Sequence, residues 1–171
     1  MNQFILRVSL FFALSLALLS CEQGLAPEPP PEYGIAGSIY FRNWPPPDSV
    51  RAFAIAALKN YPQQNLITEV LNGISNGTVV FTLLSVSYGD SVIQYKLPFS
   101  PVTPGTVQYI GVGRFVGSLA DISDPLFWRV AGVYHTPGDT TKAGSVFVPA
   151  NQIVQVNIIV DFLNPPPQPR R

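Results

Sequence analysis

From Gly34 onward, proline, glycine, asparagine and aspartate divide the chain into apolar runs that are too short for long helices. Within these runs, apolar and polar side chains alternate, so one face of each run can be buried. The alternation is clearest from Val154 to Phe162. About seven or eight such runs follow one another at regular spacing, with no sustained helical period. This pattern predicts an all-β fold with a single antiparallel β-sandwich of about seven or eight strands.

Turn residues indicate where the predicted strands begin and end. Tyr88-Gly89-Asp90 is a turn signal between residues 78–84 and 91–97, so we expect these two runs to pair as a hairpin. The complete set of predicted strands is 35–41, 50–58, 78–84, 91–97, 107–115, 127–134, 145–148 and 154–162.

Two features depart from simple alternation. Apolar side chains at helical spacing within residues 65–74 predict at most one short helix after the N-terminal segment. Gly111 and Gly113 interrupt one of the strands, which predicts a bulge or a close packing partner at that point.

Proline-rich segments flank the predicted domain of residues 34–163. Residues 21–33 have little to bury and favour extended polyproline geometry, so we interpret them as a semi-stiff tether rather than as a ligand for aromatic grooves. Residues 164–171 are also rich in proline, and we expect a disordered tail there. The length between the two segments suits one domain with one core.

The N-terminal apolar run from Val8 to Leu19 indicates where the protein is located. It follows a polar start with one positive charge at Arg7, as in a secretory signal peptide covering residues 1–20. The run has 12 residues, whereas a helix that spans a bilayer needs roughly 20. An ordinary signal peptide that is cut further along and an uncleaved anchor stay open as alternatives.

The four residues Leu18-Leu19-Ser20-Cys21 resemble the bacterial lipobox, in which an aliphatic residue lies three positions before the cysteine and a small residue directly before it. The resemblance implies that the signal helix is cleaved and that Cys21 carries acyl chains that anchor the mature chain in a lipid bilayer. Cys21 is the only cysteine, which suits an oxidising compartment because no free thiol remains. Glu22 stands where an aspartate would signal inner-membrane retention. The resemblance therefore favours the outer membrane of a bacterial cell envelope, with the periplasmic or surface side left open.

The predicted domain is similar to the transthyretin-like and carboxypeptidase-regulatory-like β-sandwiches of secreted bacterial proteins. The opening Gly34-Ile35-Ala36-Gly37-Ser38-Ile39 and the closing strand 154–162 carry this resemblance. It implies a sandwich of immunoglobulin or transthyretin type, a fold that by itself specifies no function. The transthyretin-like hydrolases of urate breakdown use several histidines, whereas this chain has one, so that activity is not expected.

The charge balance bears on the class of partner. After removal of residues 1–20, nine basic side chains stand against ten acidic ones, and no cluster of lysine and arginine is present. Nucleic-acid binding requires such a cluster and is not expected. Charged residues are 12% of the chain, which is low for a soluble domain. A weakly charged surface favours contact with an envelope protein, a glycan or another copy of the chain.

The polar residues predict no catalytic site, cofactor or metal. His135 is the only histidine, and zinc usually takes three or four ligands. Asp121 and Asp124 offer oxygen atoms that calcium accepts, but aspartates in turns more often bond their own backbone amides. Neither a nucleophile elbow nor a phosphate-binding loop is present. We therefore expect a non-catalytic binding or structural module.

Aromatic residues are the remaining candidates for binding. Trp44, Tyr61 and Tyr88 lie in predicted loops, where rings can stack on sugars or anchor a partner protein. These three residues support the alternative function of a carbohydrate-binding envelope module. The competing interpretation is that Trp128 packs in the core and Trp44 covers one end of the sandwich, because aromatic residues dominate sandwich cores.

Overall fold

A curled, mixed β-sheet is the main element of the computed structural model, which describes residues 32–62, 66–99 and 104–168. The all-β class is confirmed, and so is one short helix, α1, at Leu66–Asn76. The strands are β1 Gly34–Arg42, β2 Ala52–Leu58, β3 Val79–Leu84, β4 Val92–Pro98, β5 Gly105–Val107, β6 Tyr109–Phe115, β7 Trp128–Val133, β8 Val146–Val148, β9 Ile153–Gln155 and β10 Ile158–Asp161.

The signal peptide, the lipobox with Cys21 and the predicted tether up to residue 31 lie outside the described residues. The last two residues of the predicted tether make contacts with the domain. Glu32 forms an ion pair with Lys96 on β4, and the buried Tyr33 packs edge-on against Phe99 at 5.5 Å between ring centroids. Within the described ranges, no helix is long and apolar enough to cross a membrane.

The strand order of the main sheet is β3-β2-β6-β7-β10-β1-β4, with β9 also paired to β1, and β5 pairs with β8 in a separate ribbon. Strand β1 is antiparallel to β4 but parallel to β9 and β10. The prediction of a wholly antiparallel arrangement is therefore wrong, because the first and last strands run side by side in the same direction. Alternation specifies which face of a strand is buried and carries no information about the direction of its neighbours.

The strands on either side of the Tyr88 turn do not form the predicted hairpin. Strand β3 forms six residue pairs with β2, and β4 forms seven with β1, so the two lie at opposite ends of the strand order. The sheet curls enough that Cα atoms of β3 and β4 come within 8 Å of each other. The turn reverses the chain as expected, but pairing with β2 and β1 decides where each strand lies.

Gly77 ends α1 and directs the chain into β3. Its φ is +71°, and the amide of Thr78 donates to the carbonyl of Gly73 at 2.9 Å, as in a Schellman motif. Gly73 also lies directly against β3, because a Cβ atom there would be 2.2 Å from Cγ2 of Val79. The helix therefore packs closely on the face of the sheet that carries Val79.

Apolar clusters lie on both faces of the sheet. The larger one gathers alternate residues of nearly every strand and defines the inner face, with fully buried members such as Ile35, Ile55 and Val112. Within it, the Tyr95 hydroxyl donates to the carbonyl of Val156 at 2.8 Å. The smaller cluster lies on the outer face and consists of Leu58, Val79, Tyr109, Val130 and Val133.

The ladder between β6 and β7 contains a bulge opposite Gly113, whose extra residue, Ala131, belongs to β7. The register of this ladder shifts between Val112 and Gly113. Two rings cover the glycines of β6: a Cβ atom at Gly111 would be 2.9 Å from Cε1 of Tyr109, and one at Gly113 would be 3.2 Å from Cε3 of Trp128. The predicted close packing partner is confirmed for both glycines, whereas the bulge lies on the neighbouring strand β7 and not on β6 itself.

The ladder between β7 and β10 is short, so most of the β7 edge that faces β10 is not paired with that strand. The two strands pair at a single position, Val160 with Gly132. Beyond it, the side-chain amide of Gln168 bonds to Val130: Oε1 accepts from the backbone nitrogen and Nε2 donates to the carbonyl, both at 2.9 Å. Gln168 belongs to the segment predicted to be a disordered tail, and these two bonds give it a defined position.

Candidate functional site

Five aromatic rings meet at the end of the sheet where β1 and β10 finish and β2 begins. The ring centroid of Trp44 is 5.1 Å from Phe162, 5.2 Å from Phe41, 5.4 Å from Tyr88 and 5.8 Å from Phe53. Phe41 and Phe53 are buried, Trp44 and Phe162 are half-buried, and Tyr88 is exposed. These five residues, which we call the aromatic cluster, extend from the core to the solvent.

The backbone conformation at Asn43 positions Trp44 in the cluster. Asn43 follows the last residue of β1 and has a φ of +56°, a left-handed conformation that asparagine adopts more readily than most residues. Its Nδ2 donates to Oδ1 of Asp161 at 2.8 Å. The indole Nε1 of Trp44 donates to the carbonyl of Asp90 at 2.9 Å. The polar edge of the Trp44 ring is thus satisfied within the protein, which supports a packing role for most of this side chain.

Asp161 joins the end of β10 to the loop that carries Trp44. Besides the bond from Asn43, it accepts from Nδ2 of Asn164 through Oδ2 and from the backbone nitrogen of Leu163 through Oδ1, each at 3.0 Å. The hydrogen bonds from Asn164 and then from Asn43 lower the pKa of Asp161 to about 2. The carboxylate is therefore ionised at physiological pH and is held by the chain around it.

Tyr88 lies at the tip of a tight turn formed by residues 87–90. Gly89 has a φ of +89°, which the third position of a type II turn requires. The backbone nitrogen of Asp90 donates to the carbonyl of Ser87 at 3.1 Å, and the nitrogen of Ser87 donates to Oδ2 of Asp90 at 2.7 Å. The Tyr88 side chain is 57% exposed while one edge contacts Trp44. The closed turn therefore presents a well-positioned ring to the solvent.

An arginine lies beside the aromatic cluster on the inner face of the sheet. Arg114 pairs directly across the ladder with Phe53, so the two side chains project from the same face. Its guanidinium carbon is 5.5 Å from the centroid of the Phe162 ring, a cation–π contact. Among the described residues, its Nε is the only buried side-chain nitrogen or oxygen without a hydrogen-bond partner. The inner edge of the cluster is therefore positively charged.

The structure separates Tyr61 from the other two candidate binding residues. Tyr61 follows β2, is 49% exposed and packs edge-on against Tyr109 at 5.8 Å. Trp44 contacts Phe53, near the other end of the same seven-residue strand, which is about 20 Å long at the usual rise per residue. The fold thus brings Trp44 and Tyr88 together and leaves Tyr61 at the opposite end of β2.

Trp128 packs on the outer face of the sheet. Its ring is 5.3 Å from Phe115 and covers Gly113, and its indole nitrogen donates to the carbonyl of Ile122 at 2.8 Å. Because the polar atom and much of the ring surface are engaged inside the protein, these contacts support the packing interpretation of Trp128.

Polar residues weighed as catalytic or metal-binding groups take part in local turns. Nδ1 of His135 lies 2.7 Å from the carbonyl oxygen of Lys142. Oδ1 of Asp124 accepts from the backbone nitrogen of Leu126 at 2.8 Å, the local bond expected of an aspartate in a turn, and its own amide donates to the carbonyl of Asp121. In the part of the chain that the structure describes, no group of three His, Cys, Asp or Glu side chains is arranged to hold a metal ion.

Arg114 and Phe162 belong to the candidate site but were not singled out from the sequence. The alternation of β6 places Ile110, Val112 and Arg114 on one face. A charged residue that follows two fully buried positions is a signal by which Arg114 could have been found. Phe162 gave no such signal, since it alternates like any core residue and only the fold brings it next to Trp44.

Comparison of the chain with protein-family models, with curated proteins and with solved structures gives no match. The candidate site therefore rests on its own geometry. It combines one exposed ring on a closed turn, a half-buried tryptophan and an inward-facing arginine at one end of the sheet.

Proposed function

We propose that the chain is a lipid-anchored lipoprotein of the bacterial outer membrane and that its β-domain is a non-catalytic binding or structural module. The observation that carries the proposal is the position of Cys21, the only cysteine, directly after a short apolar run in the lipobox-like Leu18-Leu19-Ser20-Cys21. Two or more acyl chains convert a reversible membrane contact into a stable anchor. The bilayer is thus the first partner, reached through the acylated Cys21.

Several polar side chains of the domain hold local turns together, which supports a scaffold rather than a catalytic centre. Asp90, Asp124 and Asp161 each accept hydrogen bonds from backbone or amide groups in or next to their own turns. The proposal includes a sandwich of immunoglobulin or transthyretin type, in which the two halves of the curled sheet enclose the larger apolar cluster.

Metabolic labelling with an alkyne fatty acid in a bacterial host tests the anchor. The wild-type chain should carry the label and partition into the membrane fraction, and Cys21→Ala should abolish labelling. Glu22→Gln is the matched control, because it changes the adjacent residue and leaves the cysteine in place. Equal labelling of the wild type and Cys21→Ala would overturn the lipoprotein proposal.

Density-gradient separation of the two membranes tests the location. The wild-type chain should sediment with the outer membrane. Glu22→Asp introduces the aspartate that signals inner-membrane retention and should move the protein to the inner-membrane fraction. A wild-type protein found in the inner membrane would contradict the outer-membrane part of the proposal and leave lipidation intact.

A second candidate function is carbohydrate binding at the aromatic cluster. The observation that favours it is the position of Tyr88, an exposed ring held on a closed turn beside the half-buried Trp44. Aromatic rings of this kind contribute large contact areas at low conformational cost and dominate binding energies at interfaces. Tyr61 lies beyond the far end of β2, too distant to take part in the same site.

Glycan arrays probed with the mature, detergent-solubilised protein test this candidate. Tyr88→Ala should weaken binding of any glycan that the wild type retains by about tenfold, the range expected for an aromatic contact residue. Tyr61→Ala removes an equally exposed tyrosine elsewhere and serves as the control. Silence of the wild type on the array, or equal binding by wild type and Tyr88→Ala, would count against the candidate.

A further inference from the structure

Two arginines project from the inner face of the sheet next to the aromatic cluster. Arg114 on β6 and Arg129 on β7 are directly paired across the ladder, so their Cβ atoms are about 5 Å apart on one face. Like charges at such positions repel each other. A negatively charged group between or beside them would therefore be bound favourably.

The charge of Arg114 is not neutralised by the described residues. Within residues 32–62, 66–99 and 104–168, no hydrogen bond or ion pair involves the Arg114 side chain, and its buried Nε is unsatisfied. The carboxylate of Asp161, one residue before Phe162, accepts hydrogen bonds from Asn43 and Asn164. Arg129 differs in this respect, because its Nη1 donates to the carbonyls of Leu126 and Trp128. Arg114 is thus the cation of the pair that is available to a ligand.

The geometry leaves Arg114 accessible. Only its Nε is both buried and unpartnered, so the two terminal nitrogens of the guanidinium keep contact with solvent. Strand β10 pairs with β7 only at Val160, and Gln168 takes the place of a neighbouring strand at Val130. An anionic group would therefore reach the guanidinium through its terminal nitrogens, which keep contact with solvent.

Ring contacts connect this cation to the exposed end of the aromatic cluster. Arg114 is 5.5 Å from Phe162, Phe162 is 5.1 Å from Trp44, and Trp44 is 5.4 Å from Tyr88. A planar guanidinium forms paired hydrogen bonds with a carboxylate, and the rings offer surfaces on which sugars stack.

We propose that Arg114 binds the carboxylate of an acidic saccharide whose neighbouring sugar rings pack on the exposed Tyr88 and the half-buried Trp44. This inference rests on the carbohydrate-binding candidate and adds the chemical class of its ligand, a uronic-acid oligosaccharide. The guanidinium supplies charge recognition, and the aromatic cluster supplies contact area.

Calorimetry with tetragalacturonic acid and with its fully methyl-esterified form tests the inference on the mature, detergent-solubilised protein. The ester keeps the sugar rings and removes the charge. Wild-type protein should bind the acid about 10-fold to 100-fold more tightly than the ester, as expected for one charge-assisted hydrogen-bonded pair. Arg114→Gln should lose this preference, and Arg114→Lys should retain part of it. Arg42→Gln removes an exposed arginine at the same end of the sheet and should bind like the wild type.

The outcomes distinguish the acidic-saccharide inference from the carbohydrate-binding candidate on which it rests. Equal wild-type affinity for acid and ester would overturn the role of Arg114 and leave the carbohydrate-binding candidate standing. Absence of binding to both probes would overturn the acidic-saccharide inference, while the glycan array decides the candidate itself. The acid-to-ester comparison needs only the wild-type protein, so it remains decisive even if Arg114→Gln fails to fold. Acid binding by a folded Arg114→Gln at wild-type strength would also contradict the inference.

Discussion

The side-chain amide of Gln168 makes with Val130 the two hydrogen bonds that a neighbouring strand would make with this residue. Strand β10 leaves β7 after a single residue pair, so the backbone of Val130 would otherwise be unpaired on that side. An unmade bond to a buried backbone group costs free energy, which explains why a proline-rich tail is fixed at this one position.

Replacement of Gln168 by leucine should therefore destabilise the domain. Gln168→Leu removes both hydrogen bonds with little change in size, and we expect the free energy of unfolding to fall by about 1–3 kcal/mol. Gln155→Leu is the matched control, because Gln155 is exposed on β9. Urea denaturation followed by tryptophan fluorescence measures both variants. An equal decrease in the free energy of unfolding of Gln168→Leu and Gln155→Leu would show that the hydrogen bonds to Val130 contribute no stability.

The ionisation of Asp161 should depend on the asparagines that surround it. Its pKa is about 2 because Asn164 and Asn43 donate to the carboxylate. A lowered pKa means that the contribution of these bonds to stability is complete above the ordinary value near 3.8 and is lost as the pH falls towards 2.

Carboxyl-carbon NMR titration measures this dependence directly. Asn164→Ala should raise the pKa of Asp161 most, and Asn43→Gly should raise it less while keeping a residue that tolerates the positive φ. An Asp161 that titrates near 3.8 in the wild type would contradict the hydrogen-bonded arrangement.

Alkaline pH should destabilise the domain, chiefly through the two buried tyrosines whose pKa values are raised most. Burial raises the pKa of Tyr95 and of Tyr109 well above the ordinary value of 10.0. Above pH 10 the unfolded chain releases both protons while the folded chain keeps them, so stability falls as the pH rises. The expected slope is about 1.4 kcal/mol per pH unit for each tyrosine.

Urea denaturation between pH 8 and pH 11 checks this prediction. The free energy of unfolding should change little below pH 9 and decline steeply above pH 10. Tyr95→Phe should lower stability at every pH, because the carbonyl of Val156 loses its hydrogen bond, and should roughly halve the alkaline slope. If stability declined with pH as steeply in Tyr95→Phe as in the wild type, the prediction that burial raises the pKa of Tyr95 would be wrong.

Gly37 should tolerate no side chain. A Cβ atom there would be 2.1 Å from the carbonyl oxygen of Val156, so β1 would have to move away from the segment that joins β9 to β10. We expect Gly37→Ala to cost about 3 kcal/mol. Gly138→Ala is the control for backbone conformation alone, because its φ is +89° and the space around it is open; a cost of about 1 kcal/mol is expected there. Thermal unfolding of both variants compares the two effects, and similar losses would show that the contact with Val156 is unimportant.

Local features of this fold could be predicted from the sequence, whereas features that depend on distant partners could not. The helix after residue 65, the close packing against Gly111 and Gly113 and the buried face of β1 follow from spacing and residue type within one segment. The parallel pairing of β1 with β10 does not, because alternation is the same for either direction of the neighbouring strand.

The same distinction applies to the candidate site. Trp44 and Tyr88 were recognised as aromatic residues in loops, but their contact with each other depends on the curl of the sheet. Tyr61 has the same local character and lies elsewhere, so residue type alone did not separate it from the other two. The inward position of Arg114 could have been read from the alternation of β6, although its contact with Phe162 could not.

The pairing of β1 on both of its sides also has a mechanical consequence. Tension on the chain before Gly34 would act along the axis of a strand that is hydrogen-bonded to β4 on one side and to β9 and β10 on the other. Such a load shears both ladders together and cannot peel residues away one at a time. The first strand is therefore well placed to resist forced unfolding, whose rate depends on the barrier to breaking these bonds at once.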